Sequence, residues 1–165
     1  MKGGIDMFLK KALIFVLVAI FLFFIFFGDA GAENKILILL YYLNTKMVLQ
    51  EFPFEPEEAV FPVYREIPKS ATPIRDAIEL LISTKLTKEE EELGFITEFP
   101  HPGFGLVNLN LKKDGTLILE FTEIFGFTTG GAARMLVMQE QIKKTALQFK
   151  EVKNVEFYPE SLFQP

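Results

Sequence analysis

The sequence predicts an α+β domain behind an N-terminal hydrophobic segment: a mixed β-sheet with helices packed on one face, in the order β-β-α-α-β-β-α-β. Three stretches lead to that reading. Residues 129–149 begin with a Gly-Gly pair and then run without Pro or Gly. Wound at ~100° per residue, they place Met135, Leu136, Met138, Ile142, Ala146, Leu147 and Phe149 on one arc. Arg134, Gln141, Lys144, Thr145 and Gln148 fall opposite, with Val137 the apolar exception there and Gln139 a polar intruder on the apolar side. Such an amphipathic helix needs a sheet or another helix over its stripe. Residues 107–121 alternate apolar and polar on both sides of Asp114-Gly115, as a hairpin does. Residues 35–43, KILILLYYL, form an unbroken apolar run of strand length, which predicts a central strand buried on both faces.

The remaining elements follow in order. Lys2, Lys10 and Lys11 precede sixteen apolar residues, 12–27, and Ala30-Gly31-Ala32 supplies small residues at cleavage-site spacing. This is the pattern of a secretory signal peptide. The apolar run is also slightly longer and richer in Phe, Ile and Leu than cleavage needs. At ~1.5 Å per residue it spans about 24 Å, enough to cross a bilayer if the lysines snorkel. Residues 1–32 therefore read as a signal peptide or a single transmembrane signal anchor, and residues 33–165 as the domain, with its core at about 36–158. Either way the domain lies outside the cytoplasm, because the lysines stay in.

Residues 44–46 read as a turn and residues 50–59, with two Pro and four acids, as a loop. Phe61 and Val63 open a second strand that Pro62 demotes toward an edge. Thr72-Pro73 is a helix start, a hydroxyl N-cap before Pro at the first helical position, and Ile74, Ala77, Ile78, Leu81 and Ile82 give the inward stripe. Thr87 and Glu90 have capping-box spacing, and Gly94 can close that short helix in a left-handed conformation. A two-residue hairpin loop would split the apolar rows between faces. A three-residue loop, residues 113–115, instead pairs Leu111 with Leu117, Leu109 with Leu119 and Val107 with Phe121. Residues 152–158 read as a last strand and Pro159 onward as a tail.

Composition narrows function. The chain has 17 Lys plus Arg against 22 Asp plus Glu, a net charge of −5, and its N-terminal segment carries three of the lysines but only two acids. An acidic domain argues against binding nucleic acid through its phosphates. The absence of Cys excludes disulfides, thiol catalysis and thiolate metal sites, and a single His, His101, leaves little scope for imidazole chemistry. Glu120 and Glu123 stand three apart on a strand, so they point to opposite faces rather than forming a hydrolytic pair. No catalytic set, metal site or cofactor is expected, and the acid run at 89–92 reads as a solvated helix face.

Several stretches agree with one family in order and spacing: VYREIP at 63–68, a helix ending in LLIS, TKEEEELGF at 87–95, the hairpin around Asp114-Gly115, GGAAR at 130–134, QIKKTALQF, and a final V-x-x-V. Together they resemble the GerMN domain, the sporulation and spore-germination module of bacterial envelope proteins. The chain departs from that pattern at residues 83–86, where the family has Gly-Pro, and at Pro159, where its last strand ends in Gly. The resemblance implies a secreted or membrane-anchored, noncatalytic module similar to the ring-building motifs of secretion channels, for which ligand binding has also been proposed.

Two sets of residues are candidates for that work. Gly130 and Gly131 before a helix offer free backbone N–H groups and a positive dipole, with Arg134 one turn in, which suits a carboxylate or phosphate. The bland counterpart is that the glycines merely turn the chain while Arg134 pairs with a nearby acid. Arg65 joins this set because it too sits in a matching motif. Phe99, Phe104, Phe125 and Phe127, beside two loops, form a candidate exposed interaction patch. The expectation is a non-enzymatic extracytoplasmic module for protein interaction or assembly at the cell envelope; the alternative is a module binding a small ligand such as cell-wall glycan, peptide or anion. Expected partners are a second copy or an envelope protein, a cell-wall fragment, and the membrane through residues 12–27 if they stay uncleaved, with no nucleic acid.

Overall fold

Strand β1 (Lys35–Asn44) is the element on which the first of two sheets is built. The computed structural model describes residues 34–48, 55–124, 126–127 and 131–163. The expected signal or anchor segment, residues 1–32, lies outside these, as do residues 50–54 of the expected loop, Phe125 and Gly130. After β1 come a helical turn, α1 (Thr45–Val48), then β2 (Val60–Pro68), α2 (Pro73–Ser83), α3 (Lys88–Glu92) and a two-residue strand, β3 (Phe95–Ile96). The second half holds β4 (Leu106–Leu111), β5 (Thr116–Phe121), α4 (Ala132–Leu147) and β6 (Asn154–Tyr158). Single 3₁₀ turns occupy Pro56–Glu58 and Glu160–Phe163.

The α+β class holds, but the one mixed sheet expected is two three-stranded sheets. The first runs β2-β1-β3 and is antiparallel throughout. In the second, β5 pairs antiparallel with β4 and parallel with β6, the crossover between β5 and β6 being α4. Nor do the helices keep to one face of one sheet. Helices α2 and α4 pack on each other, and each touches a strand of both sheets. One apolar core results, with Ile38, Leu40, Ile78, Leu81, Leu117, Leu119, Met138 and Ile142 all essentially inaccessible.

Helix α2 forms as expected: Pro73 opens it, and Ile74, Ala77, Ile78, Leu81 and Ile82 are all buried. Thr72 does not cap it through its side chain, however; the Thr72 hydroxyl turns to Asp76, which Ser70 also reaches. The capping box at Thr87 and Glu90 is complete, and Gly94 follows α3 at φ 95°. The hairpin has the three-residue loop, with Gly115 at φ 93°, Leu111 opposite Leu117 and Leu109 opposite Leu119. A bulge between Leu106 and Asn108 then extrudes Val107, so Leu106 takes the place opposite Phe121.

Three expectations need correcting. Strand β1 is not buried on both faces: Ile38, Leu40, Tyr42 and Asn44 point inward while Leu37, on the odd-numbered side, is 62% exposed. The inward arc of α4 is rotated from the hydropathy arc: Gln141 and Thr145 are buried, and Leu136 and Leu147 are partly exposed. The cause is β1, whose edge beyond β3 has no strand beside it among the described residues. The Thr145 hydroxyl accepts from the Tyr41 N–H at 3.1 Å, and the Gln148 amide both accepts from the Leu39 N–H and donates to its carbonyl, each at 2.8 Å. Polar side chains of α4 and its C-cap residue, Gln148, thus take backbone groups of β1 that a neighbouring strand would otherwise pair. Finally, the C-terminal stretch is not a loose tail, because Leu162 and Phe163 are buried in the core.

Candidate functional site

Segment 96–98, leaving the short strand β3, crosses the N-terminal half of α4 and leaves a groove of about 280 Å³ between them. Leu43, Ile96, Ala133, Val137 and Met138 give it an apolar lining, with Thr97, Glu98, Arg134 and Gln141 supplying the polar groups. The other side of the same segment borders a larger hollow of about 510 Å³ reaching Lys85, Leu86 and Glu91. Ile96 belongs to both and is 47% exposed.

The polar groups of the groove are held by one another. The Thr97 hydroxyl donates to the Gln141 side-chain carbonyl at 2.9 Å and accepts from the Phe99 N–H at 3.2 Å. Arg134 donates from Nε to Glu98 at 2.6 Å and from a terminal nitrogen to the Phe127 carbonyl at 2.8 Å. Its guanidinium carbon also lies 5.9 Å from the Phe127 ring centre, within range of a cation–π contact. Gly131 is the N-cap of α4, at φ 93°, a conformation that disfavours any side chain. Of the expected anion corner, then, Gly131 and Arg134 both stand at the start of α4. Arg134 is engaged by Glu98, the bland counterpart of the anion reading.

Arg65 belongs elsewhere. It grips Glu90 in a fork, at 2.6 and 2.8 Å, and donates to the Tyr64 carbonyl at 3.0 Å. Both side chains are largely buried. Burial opposes the charged Glu90 carboxylate, yet hydrogen bonds from Arg65 and the Thr87 N–H prevail and hold its pKa below the usual range. The same pairing raises that of Arg65. One carboxylate thereby closes the capping box of α3 and ties that helix to β2.

The aromatic patch is corrected outright at three of its positions. Phe99, Phe104 and Phe127 are 3%, 8% and 2% exposed. Phe104 stacks on Phe99, Phe121 and Phe127 with centroids 5.5, 4.9 and 4.8 Å apart, so these rings are core where a surface was expected. His101 sets its ring edge-on to Phe127 at 5.3 Å. Sequence reasoning missed Leu43, Ile96 and Met138 as lining residues. The available signal was Val137, the apolar residue stranded on the polar arc of α4. No cluster of acids and His among the described residues converges as a metal site, and no described helix is long and apolar enough to cross a membrane.

Comparison with known proteins bears on the family and the fold. The Germane family, described as sporulation and spore germination, matches residues 39–160. No curated protein matches the chain. Among solved structures, the tandem GerMN domains of the sporulation protein GerM from Bacillus subtilis are similar at a TM-score of 0.51 and 21% identity, over 74% of this chain and 38% of that one. The first GerMN domain of the same protein aligns at a TM-score of 0.49 and 21% identity, over 74% of this chain and 80% of that one. The chain therefore spans well under half of the tandem structure, and the likeness is one of fold.

Proposed function

Because this chain belongs to the Germane family of sporulation and spore germination domains, we propose that it is a non-enzymatic interaction or assembly module of the bacterial cell envelope. In this reading it works outside the cytoplasm and keeps residues 12–27 as a membrane anchor, the Phe-, Ile- and Leu-rich run being longer than a cleaved leader needs.

The observation that carries the reading is the groove between segment 96–98 and α4. Its lining is apolar, and its polar members, Thr97 with Gln141 and Arg134 with Glu98, already satisfy each other. It offers a partner shape and apolar area, with a partly exposed Ile96 in its lining, rather than reacting groups. The small-ligand alternative draws on the same place, but about 280 Å³ is below the usual range for such sites, and the one cation in the lining is ion-paired.

Residue 96 is the place to test it. The chain has no cysteine, so Ile96→Cys supplies a single thiol for crosslinking in the host envelope. Light scattering of residues 35–165, a compact unit with its own core, gives the oligomeric state over a concentration series. The expected outcome is an adduct from position 96, to a second copy or to another envelope protein. A strict monomer giving no adduct from that position overturns the proposal.

A further inference from the structure

The groove does not account for a second apolar surface, the outer face of β1 and β2. Here Leu37 and Tyr64 are 62% and 64% exposed, Pro62 is exposed, and Leu39 and Tyr41 are half-buried. The register sets Leu39 opposite Tyr64, Tyr41 opposite Pro62 and Leu37 opposite Glu66, so these side chains share one side of the sheet. The sheet's edges are blunted against an added strand. On β1 the Gln148 and Thr145 side chains take the Leu39 and Tyr41 backbone groups; on β2 Pro62 lacks an N–H and Arg65 takes the Tyr64 carbonyl. Whatever meets this surface meets side chains.

We infer that the outer face of β1 and β2 rests on the lipid headgroup layer of the membrane that holds the anchor. The inference rests on the reading that residues 12–27 stay in the bilayer. Seven residues, 28–34, separate that run from Lys35, so the start of β1 lies within about 28 Å of its end even if the link is fully extended. Leu37 is therefore tethered close to the bilayer surface. The face carries leucine and two tyrosines with apolar rings and polar tips, with Lys35 at the tethered end paired to Glu66 at 3.8 Å. A net charge of −5 provides no general attraction to anionic lipid. The contact depends instead on the high local concentration that a short tether imposes, with the apolar side chains dipping into the interface.

The absence of cysteine again makes the test direct. Leu37→Cys, Tyr64→Cys and, as a control on the other sheet, Val107→Cys in the full chain are each labelled with an environment-sensitive fluorophore. The labelled proteins are reconstituted into phosphatidylcholine/phosphatidylglycerol vesicles containing a headgroup-region quencher. Val107 is 54% exposed, so the control label starts from a comparable setting. The expected result is a blue shift and loss of roughly half the emission at 37 and 64, with neither at 107. Equal quenching at all three positions in vesicle-bound protein overturns the inference and leaves the anchor standing. A blue shift at 37 and 64 without quenching also overturns it, in favour of a protein neighbour on this face. If the full chain fails to float with the vesicles, the anchor reading falls first and the inference with it.

Discussion

At Tyr42 a phenol is fully buried on the inner face of β1, and its hydroxyl has no hydrogen-bond partner among the described residues. A buried hydroxyl left unpaired costs stability, about 1–3 kcal/mol, whereas the ring itself contributes to the core. Tyr42→Phe keeps the ring and removes the oxygen, so it is expected to raise the unfolding free energy by about 1 kcal/mol in urea denaturation. The pH dependence has a definite sign. Burial, only partly offset by the charge of nearby Arg65, pushes the Tyr42 phenol from an ordinary value of 10.0 up to about 12. The folded state favours the neutral form, so this contribution is complete below pH 10 and is lost as pH rises toward 12. Tyr42→Phe should show a shallower loss of stability across that window. An identical alkaline slope in both proteins would remove Tyr42 as its source. None of this was legible in KILILLYYL, where Tyr42 reads as one more apolar residue. The Arg65 fork to Glu90 was equally hidden, spanning 25 positions, although the capping box that orients Glu90 was plain at its three-residue spacing.

Among elements, what could be read were the short-range devices. The three-residue hairpin loop follows from demanding that Leu109, Leu111, Leu117 and Leu119 share a face, and Gly115 accepts the positive φ that this loop needs. The phase of α4 could not be read the same way. A hydropathy arc assumes that the buried face is the most apolar one, but here the face that turns inward also has to serve the backbone of β1. Thr145 and Gln148 do that, and Leu136 and Leu147 are partly exposed as a consequence. The groove was missed for the same reason, since Val137 becomes a lining residue only once the helix is rotated. Gln148→Ala removes two hydrogen bonds from Leu39 and is expected to cost about 1–3 kcal/mol. Hydrogen exchange provides the sharper reading. The Leu39 amide should lose protection in Gln148→Ala, and the Tyr41 amide in Thr145→Val. Unchanged protection at both would mean that the β1 edge is closed by something other than these side chains.

Over the whole molecule, the feature least legible in the sequence is where the phenylalanines go. Phe99, Phe104, Phe125 and Phe127, beside two loops, read as an exposed patch. The missing piece was the C-terminal turn, read as a tail because Pro159 ends the last strand. In the structure Phe163 returns to the core and meets Phe157, Phe127 and Phe104 edge-on, with centroids 4.9, 6.0 and 6.4 Å away. The ring packing of Phe104 and Phe127 is completed by a residue 36 positions beyond Phe127, which no local pattern reveals. Phe163→Ala should therefore behave as a core truncation, costing about 3–5 kcal/mol in urea or thermal unfolding, whereas Phe163→Leu, which refills much of the volume, should cost clearly less. The same truncation should increase the accessibility of Phe104 and Phe127, read as binding of an apolar dye under native conditions. A loss below about 1 kcal/mol, with no added dye binding, would mean that the C-terminal turn rests on the core without completing it. A full core-sized loss would fix Phe104 and Phe127 as part of the core that Phe163 completes.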